Sequence, residues 1–236
     1  MTGAISHDVR PVAWRLLTAT GAGSIVGAIV GGIGGRLAMF GLRLTSDDRV
    51  LGITTDDGFE IGQFTTATGF LLMVTAGLGA ATGAAYFVVR ETLPQRGRTL
   101  VWATVVGSFT GADLLKPQSL DFTLLDPRSF AVASFVLLPA VAAFLIAFIL
   151  ERLLVLEPWS SRPLTVVLVL GALPLIPVLP ILLLLFGATL LFRRRARIHS
   201  TTLAFARFAV PLLLIALAVR SGVELWRDAD EILNHS

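Results

Sequence analysis

Residues 23–41 read GSIVGAIVGGIGGRLAMFG. Gly23, Gly27, Gly31 and Gly35 recur at every fourth position, and Ala19 extends the row toward the N-terminus. On a helix this spacing strips one ridge of side chains, so a second helix can approach backbone to backbone. The row ends at Arg36, a permanent charge at the edge of an apolar segment. The stretch reads as a membrane helix that packs on other helices, with Gly23, Gly27, Gly31 and Gly35 as its packing residues.

The remainder of the chain agrees. Of 236 residues, 55% are hydrophobic and 15% charged, whereas a soluble domain carries about 25% charge. Long apolar runs parted by short charged loops fit a bilayer rather than an enlarged soluble core. The length fits a single integral membrane domain, residues 1–236. The chain has no cysteine, which excludes disulfides, thiol catalysis and thiolate metal sites. Its formal charge of +3 is carried by arginines that flank apolar runs, a topology pattern rather than a nucleic-acid surface. The first apolar run is long and glycine-rich, with no small-x-small site after it, unlike a signal peptide.

The spacing of apolar runs predicts an all-α membrane protein, a polytopic bundle of about seven helical elements. Spans are expected near 14–39, 64–89, 99–115, 129–150 and 202–219, with a proline-turned hairpin over 164–192. The second span carries a small-residue row at Gly69, Gly77, Ala81 and Ala85 and a separate Gly79/Gly83 pair, so it is the natural partner of the glycine row. Between the first two spans, ITT and FEIGQF flank Asp56-Asp57-Gly58, which reads as a short β-hairpin in the outer loop 50–64. After the last span, Val223, Trp226, Ala229 and Leu233 share one face, which suits an amphipathic helix along the outer surface.

The segment 164–192 contains Pro174, Pro177 and Pro180. One helix would lose a backbone hydrogen bond at each. Two short arms turning at 174–180 avoid this, and charge favours them. With the N-terminus cytoplasmic, the hairpin keeps Arg10, Arg15, Arg90, Arg96, Arg98, Arg152 and the run Arg193, Arg194, Arg195 and Arg197 on the inner side. A single crossing moves that run outside and erases the bias. The expected location is thus the plasma membrane, with the N-terminus inside and the C-terminus outside. All acidic residues except Asp8, Glu91, Glu151 and Glu157 then fall outside.

Candidate chemistry is sparse. Arg36 and Asp113 are the charges nearest the apolar segments, at outward ends of two spans, where they could pair or reach the interface separately. Arg193, Arg194, Arg195 and Arg197 can contact anionic lipid headgroups, each contributing about 1 kcal/mol. Asp56, Asp57 and Glu60 lack the spaced oxygen ligands of a calcium loop and read as a solvated turn. His7, His199 and His235 stand in no catalytic spacing with carboxylates, and no nucleophile-elbow, zinc-helix or phosphate-loop pattern occurs. No catalytic residue, metal ligand or cofactor site is assigned.

GGRLAMFGLRLTS (34–46), ITTDDGFEIGQFTTATG (53–69) and LDFTLLDPRSFAVASFVLLP (120–139) resemble a family of actinobacterial-type multi-pass integral membrane proteins without an established activity. The resemblance covers residues 30–155 and rests on the motifs GRLAM and TDDGFxIGxxT. It implies location and topology, and no reaction.

Two functional classes follow. The first is a non-enzymatic accessory or scaffold subunit that works through glycine-rich helix packing, against a membrane protein partner or a second copy. The second is a transporter or channel for a small or lipid-like solute, sited near the proline-broken segment 174–180. Against a polar solute, no charged or amide side chain lies between Leu164 and Phe192. The partners expected are the lipid bilayer and membrane proteins, not nucleic acid.

Overall fold

The computed structural model of the chain describes residues 3–46, 66–119, 122, 126–154, 171, 187 and 200–234. The regular elements of these residues are all helical. α1 (Gly3–Val26) passes into a π-helical segment (Gly27–Gly34) and then into α2 (Gly35–Thr45). The residues at both junctions keep right-handed helical angles, so the three form one unbroken helix. There follow α3 (Thr66–Val89), α4 (Arg98–Leu114), α5 (Arg128–Leu153) and α6 (Ser200–Asn234). Among the described residues, four helical stretches are long and apolar enough to cross a membrane: Trp14–Thr45, Thr68–Val89, Arg128–Leu153 and Phe208–Asn234.

Two hydrophobic clusters lie at opposite ends of the bundle. One gathers Leu16, Ala19, Ala84, Tyr86, Trp102 and Leu150, among others. The other gathers Leu42, Leu115, Phe122, Ala131 and Ile232. α4 has 17 residues, roughly 26 Å of helix against the ~30 Å of a bilayer core. It nevertheless joins the two clusters, with Trp102 in the first and Leu115, just past its last turn, in the second. α1 packs chiefly on α3, while α4 packs on α5 and α6.

Local sequence sets the element ends. Gly97 takes φ +79° immediately before α4, a left-handed position that glycine occupies without a Cβ clash. α2 stops where Ser46 becomes extended and its Oγ donates to the Leu42 carbonyl at 2.8 Å. Thr45 Oγ1 donates to the Asp126 carbonyl at 2.6 Å, and the Asp126 N–H donates to Ser46 Oγ at 2.9 Å. The end of α2 is thereby tied to the start of α5.

The expected spans at 64–89, 99–115 and 129–150 agree with α3, α4 and α5 to within a few residues. The first and last run longer than expected. The first continues through Arg36 to Thr45, because Leu37, Phe40 and Leu44 present an apolar outer face while Leu42 is buried on the other. Arg43 also suits the negative end of the helix dipole. Arg36 therefore lies inside a helix and not at its end. The last helix runs unbroken from Ser200 to Asn234, so residues 220–234 continue the span. Ser221 and Ile232 are buried, and Leu225 and Ala229 pack on the second cluster, whereas Val223, Trp226 and Leu233 are exposed. Of the apolar face expected for the tail, Val223, Trp226 and Leu233 thus stay exposed, and Ala229 alone packs on the bundle. The β-hairpin of 50–64, the arginine run 193–197 and the hairpin 164–192, apart from Gly171 and Gly187, lie outside the described residues.

Candidate functional site

The glycine row meets α3, but not as a uniform four-residue stripe. A Cβ built at Gly23 would overlap the Gly79 carbonyl, and one at Gly27 would lie 2.8 Å from the Gly79 Cα. In the opposite direction, a Cβ at Gly79 would lie 2.7 Å from the Gly27 Cα, and one at Gly83 would overlap the Ala19 carbonyl. Ala19, Gly23 and Gly27 therefore touch Gly79 and Gly83 backbone to backbone. The contact falls on the Gly79/Gly83 pair. Of the alternative row on α3, Gly69 faces open space.

Beyond Gly27 the register changes. A π turn bonds residue i to i+5 and so adds one residue to the repeat. The residue that continues toward α3 is Gly32, not Gly31: a Cβ there would lie 2.5 Å from Leu72 Cδ2. Gly27 and Gly32 are the buried members of the π segment. Gly31 meets only the side chain of Thr75, at 3.1 Å, and Gly35 has nothing within 4 Å of a built Cβ. The buried row is Ala19, Gly23, Gly27 and Gly32, which corrects the expected row in its second half.

Beside the seam, whose Gly27 and Gly79 also border it, lies a cavity of about 470 Å³. Gly31 and Gly35 form part of one wall, Val74 and Leu78 of α3 another, and Leu138 and Ala142 of α5 a third. Thr110 and Leu114 of α4 line the side between α3 and α5, and Phe70 and Leu78 are exposed at its rim. Leu42 and Phe135 bound it toward one hydrophobic cluster, and Ala143 and Ile146 toward the other. The volume falls in the roughly 300–1,000 Å³ range of ligand pockets, and such pockets are mostly apolar with a few polar groups. Here the polar groups are hydroxyls and backbone. Thr75 and Thr82 donate to carbonyls of their own helix, each at 2.8 Å, as does Ser134 at 2.7 Å. Thr110 makes no hydrogen bond among the described residues, and Pro139 lies inside α5 on the cavity wall.

A polar cluster ties three helices at the other end. Tyr86 of α3 donates to Glu151 Oε1 of α5 at 2.8 Å, and Arg98 of α4 forms a salt bridge to Glu151 Oε2. The side chains of Arg98 and Glu151 are 26% and 22% exposed. Trp102 packs on Tyr86 with ring centroids 5.7 Å apart. A cation at a helix start and an anion at a helix end each oppose the local dipole. Arg98 and Glu151 offset that cost by pairing with each other. The cluster joins α3, α4 and α5 where α1 and α3 are also sealed.

Arg36 donates to Thr68 Oγ1, which ties α2 to the start of α3. Asp113 is exposed near the end of α4, and no salt bridge joins it to Arg36 among the described residues. Asp56, Asp57, Glu60 and Arg193, Arg194, Arg195 and Arg197 lie outside the described residues.

Three features escaped sequence reading. The π register is invisible because Gly31 and Gly32 are adjacent and equally small. The Tyr86–Glu151–Arg98 cluster had a signal, since Arg98 and Glu151 stand at the wrong helix ends for the dipole. The cavity had a weaker one, a proline within the apolar run 129–150. No family model, curated protein or solved structure matches the chain.

Proposed function

We propose that the protein is a non-enzymatic, multi-pass integral membrane protein that holds a lipid-like molecule between its helices. The observation that carries this reading is the 470 Å³ apolar cavity between helices of membrane-spanning length. The glycine row supports it indirectly. Gly23 and Gly27 are already covered by α3, so they offer no face to a partner. The site thus moves from the segment 174–180, which lies outside the described residues, to the space beside Gly31 and Gly35. Orientation in the plasma membrane follows from charge. Arg15, Arg90, Arg96, Arg98 and Arg152 belong to the end carrying the Tyr86 cluster, which we assign to the cytoplasmic side.

The accessory-subunit reading retains one observation. α6 exposes Phe208, Leu212, Val219 and Trp226 along its outer side, a face suited to lipid or to a neighbouring helix. Recovery of a stoichiometric membrane protein partner from native membranes would favour it.

Extraction of the purified protein and mass spectrometry of its lipids tests the ligand reading. One lipid species enriched over the surrounding membrane is expected with the native chain, and it should be lost in Gly35→Leu, which fills the cavity. Equal lipid recovery from both would defeat the reading.

A further inference from the structure

The cavity also carries information about the polar end of its occupant. α5 lines it with Phe135, Leu138, Pro139 and Ala142, one continuous helical face. Pro139 has no N–H, so the carbonyl four residues earlier, that of Phe135, lacks its helical donor. In a bilayer no water is at hand to replace it, and an unmet carbonyl is costly. Ser134, the neighbouring hydroxyl on α5, is already donating to Phe130. Across the cavity, Thr110 is the one of four lining Ser and Thr hydroxyls that makes no hydrogen bond among the described residues.

The acceptor and the hydroxyl stand at the same height. A Cβ at Gly107 would meet Ala140 Cβ at 2.7 Å, and one at Gly111 would meet Val136 Cγ2 at 3.4 Å. These two contacts set the antiparallel register of α4 on α5. Thr110 therefore lies level with the stretch between Val136 and Ala140, where the missing bond from Pro139 to Phe135 would run. An acceptor without its i+4 donor thus stands level with an uncommitted hydroxyl, and the other lining side chains are apolar or bonded to their own helices.

We propose that the occupant is a single-chain lipid bearing a hydroxyl group, which donates to the Phe135 carbonyl and accepts from Thr110 while its chain fills the apolar part of the cavity. This rests on the ligand-holding reading above, and it specifies the headgroup chemistry. A charged headgroup fits poorly, since the described lining has no ionised side chain. A bare hydrocarbon leaves both polar groups unmet.

The test uses dodecanol and methyl dodecyl ether as probes, each competing with a fluorescent fatty-chain probe for the full-length protein in nanodiscs. The alcohol is expected to bind about tenfold more tightly than the ether, the scale of one net hydrogen bond. Pro139→Ala supplies the missing backbone N–H to Phe135 and should bring the ratio close to one while both probes still bind. Thr110→Val keeps the side-chain shape, removes the hydroxyl donor and should weaken both probes alike, because an ether oxygen accepts as an alcohol oxygen does. Equal binding of alcohol and ether to the native protein would overturn the headgroup assignment and leave the apolar site standing. A tenfold preference that survives Pro139→Ala, or binding of both probes unchanged by Thr110→Val, would overturn the assignment to these two groups. Failure of both probes to compete at all would instead defeat the ligand-holding reading itself.

Discussion

Gly23 and Gly27 belong to the same four-residue row as Gly31 and Gly35, yet the two pairs have opposite surroundings. The first pair lies against the backbone of Gly79, where a single added carbon has no room. Gly31 meets only a threonine side chain, and Gly35 meets nothing within 4 Å. The π segment that runs from Gly27 to Gly34 shifts the phase between them. It hands the seam to Gly32 and leaves the two remaining glycines as cavity wall. Identical residues at regular spacing thus do different work, and phase along the helix decides which. Small residues let helices touch in lipid, where packing rather than hydrophobic drive holds them together. The same small residues leave space where the partner helix is no longer in phase.

Substitutions can break this comparison in order of size. Gly27→Leu forces a side chain into the α3 backbone and is expected to cost at least about 3 kcal/mol, the upper range of overpacking. Unfolding in detergent or bicelles measures it, and a loss below about 1 kcal/mol would show that the seam yields. Glu151→Ala comes next, because it strips Tyr86 of an acceptor and Arg98 of its counterion at the sealed end. The cost expected is about 2 kcal/mol, lowered by the partial exposure of both charges. Tyr86→Phe removes one hydrogen bond and should cost about 1 kcal/mol. Double-mutant cycles of Glu151→Ala with Arg98→Ala and with Tyr86→Phe should find Glu151 coupled to both partners.

Gly35→Leu should change stability by less than about 1 kcal/mol, because its backbone is regular helix and the site is open. A loss comparable to that of Gly27→Leu would remove the distinction between the halves of the row. The smallest effect is expected at Glu224→Ala. Its pair with Arg220 spans 3.1 Å on the outside of α6, with Arg220 77% exposed. Pairs of this kind contribute roughly 0.3–0.5 kcal/mol.

Much of the architecture was written in the periodicity. Apolar runs placed α3, α4 and α5, and the small residues correctly joined the first helix to α3. The sequence could not show that the seam passes from Gly27 to Gly32, because glycine carries no side chain to mark which face is buried. Arg36 was read as a span end since a charge usually marks one. In the folded chain its bond to Thr68 and the apolar stripe of Leu37, Phe40 and Leu44 keep the helix going. The cavity depends on how far α2, α3 and α5 diverge. That is a property of three elements at once, and no single stretch encodes it.

The most direct measurement is competition of a fluorescent fatty-chain probe for native protein, Gly27→Ala and Gly35→Leu side by side, each first shown to be folded. Gly35→Leu should keep native stability and lose at least tenfold in probe affinity, while Gly27→Ala should lose stability. Full probe binding by a folded Gly35→Leu variant would contradict the assignment of this half of the glycine row to the wall of a ligand site.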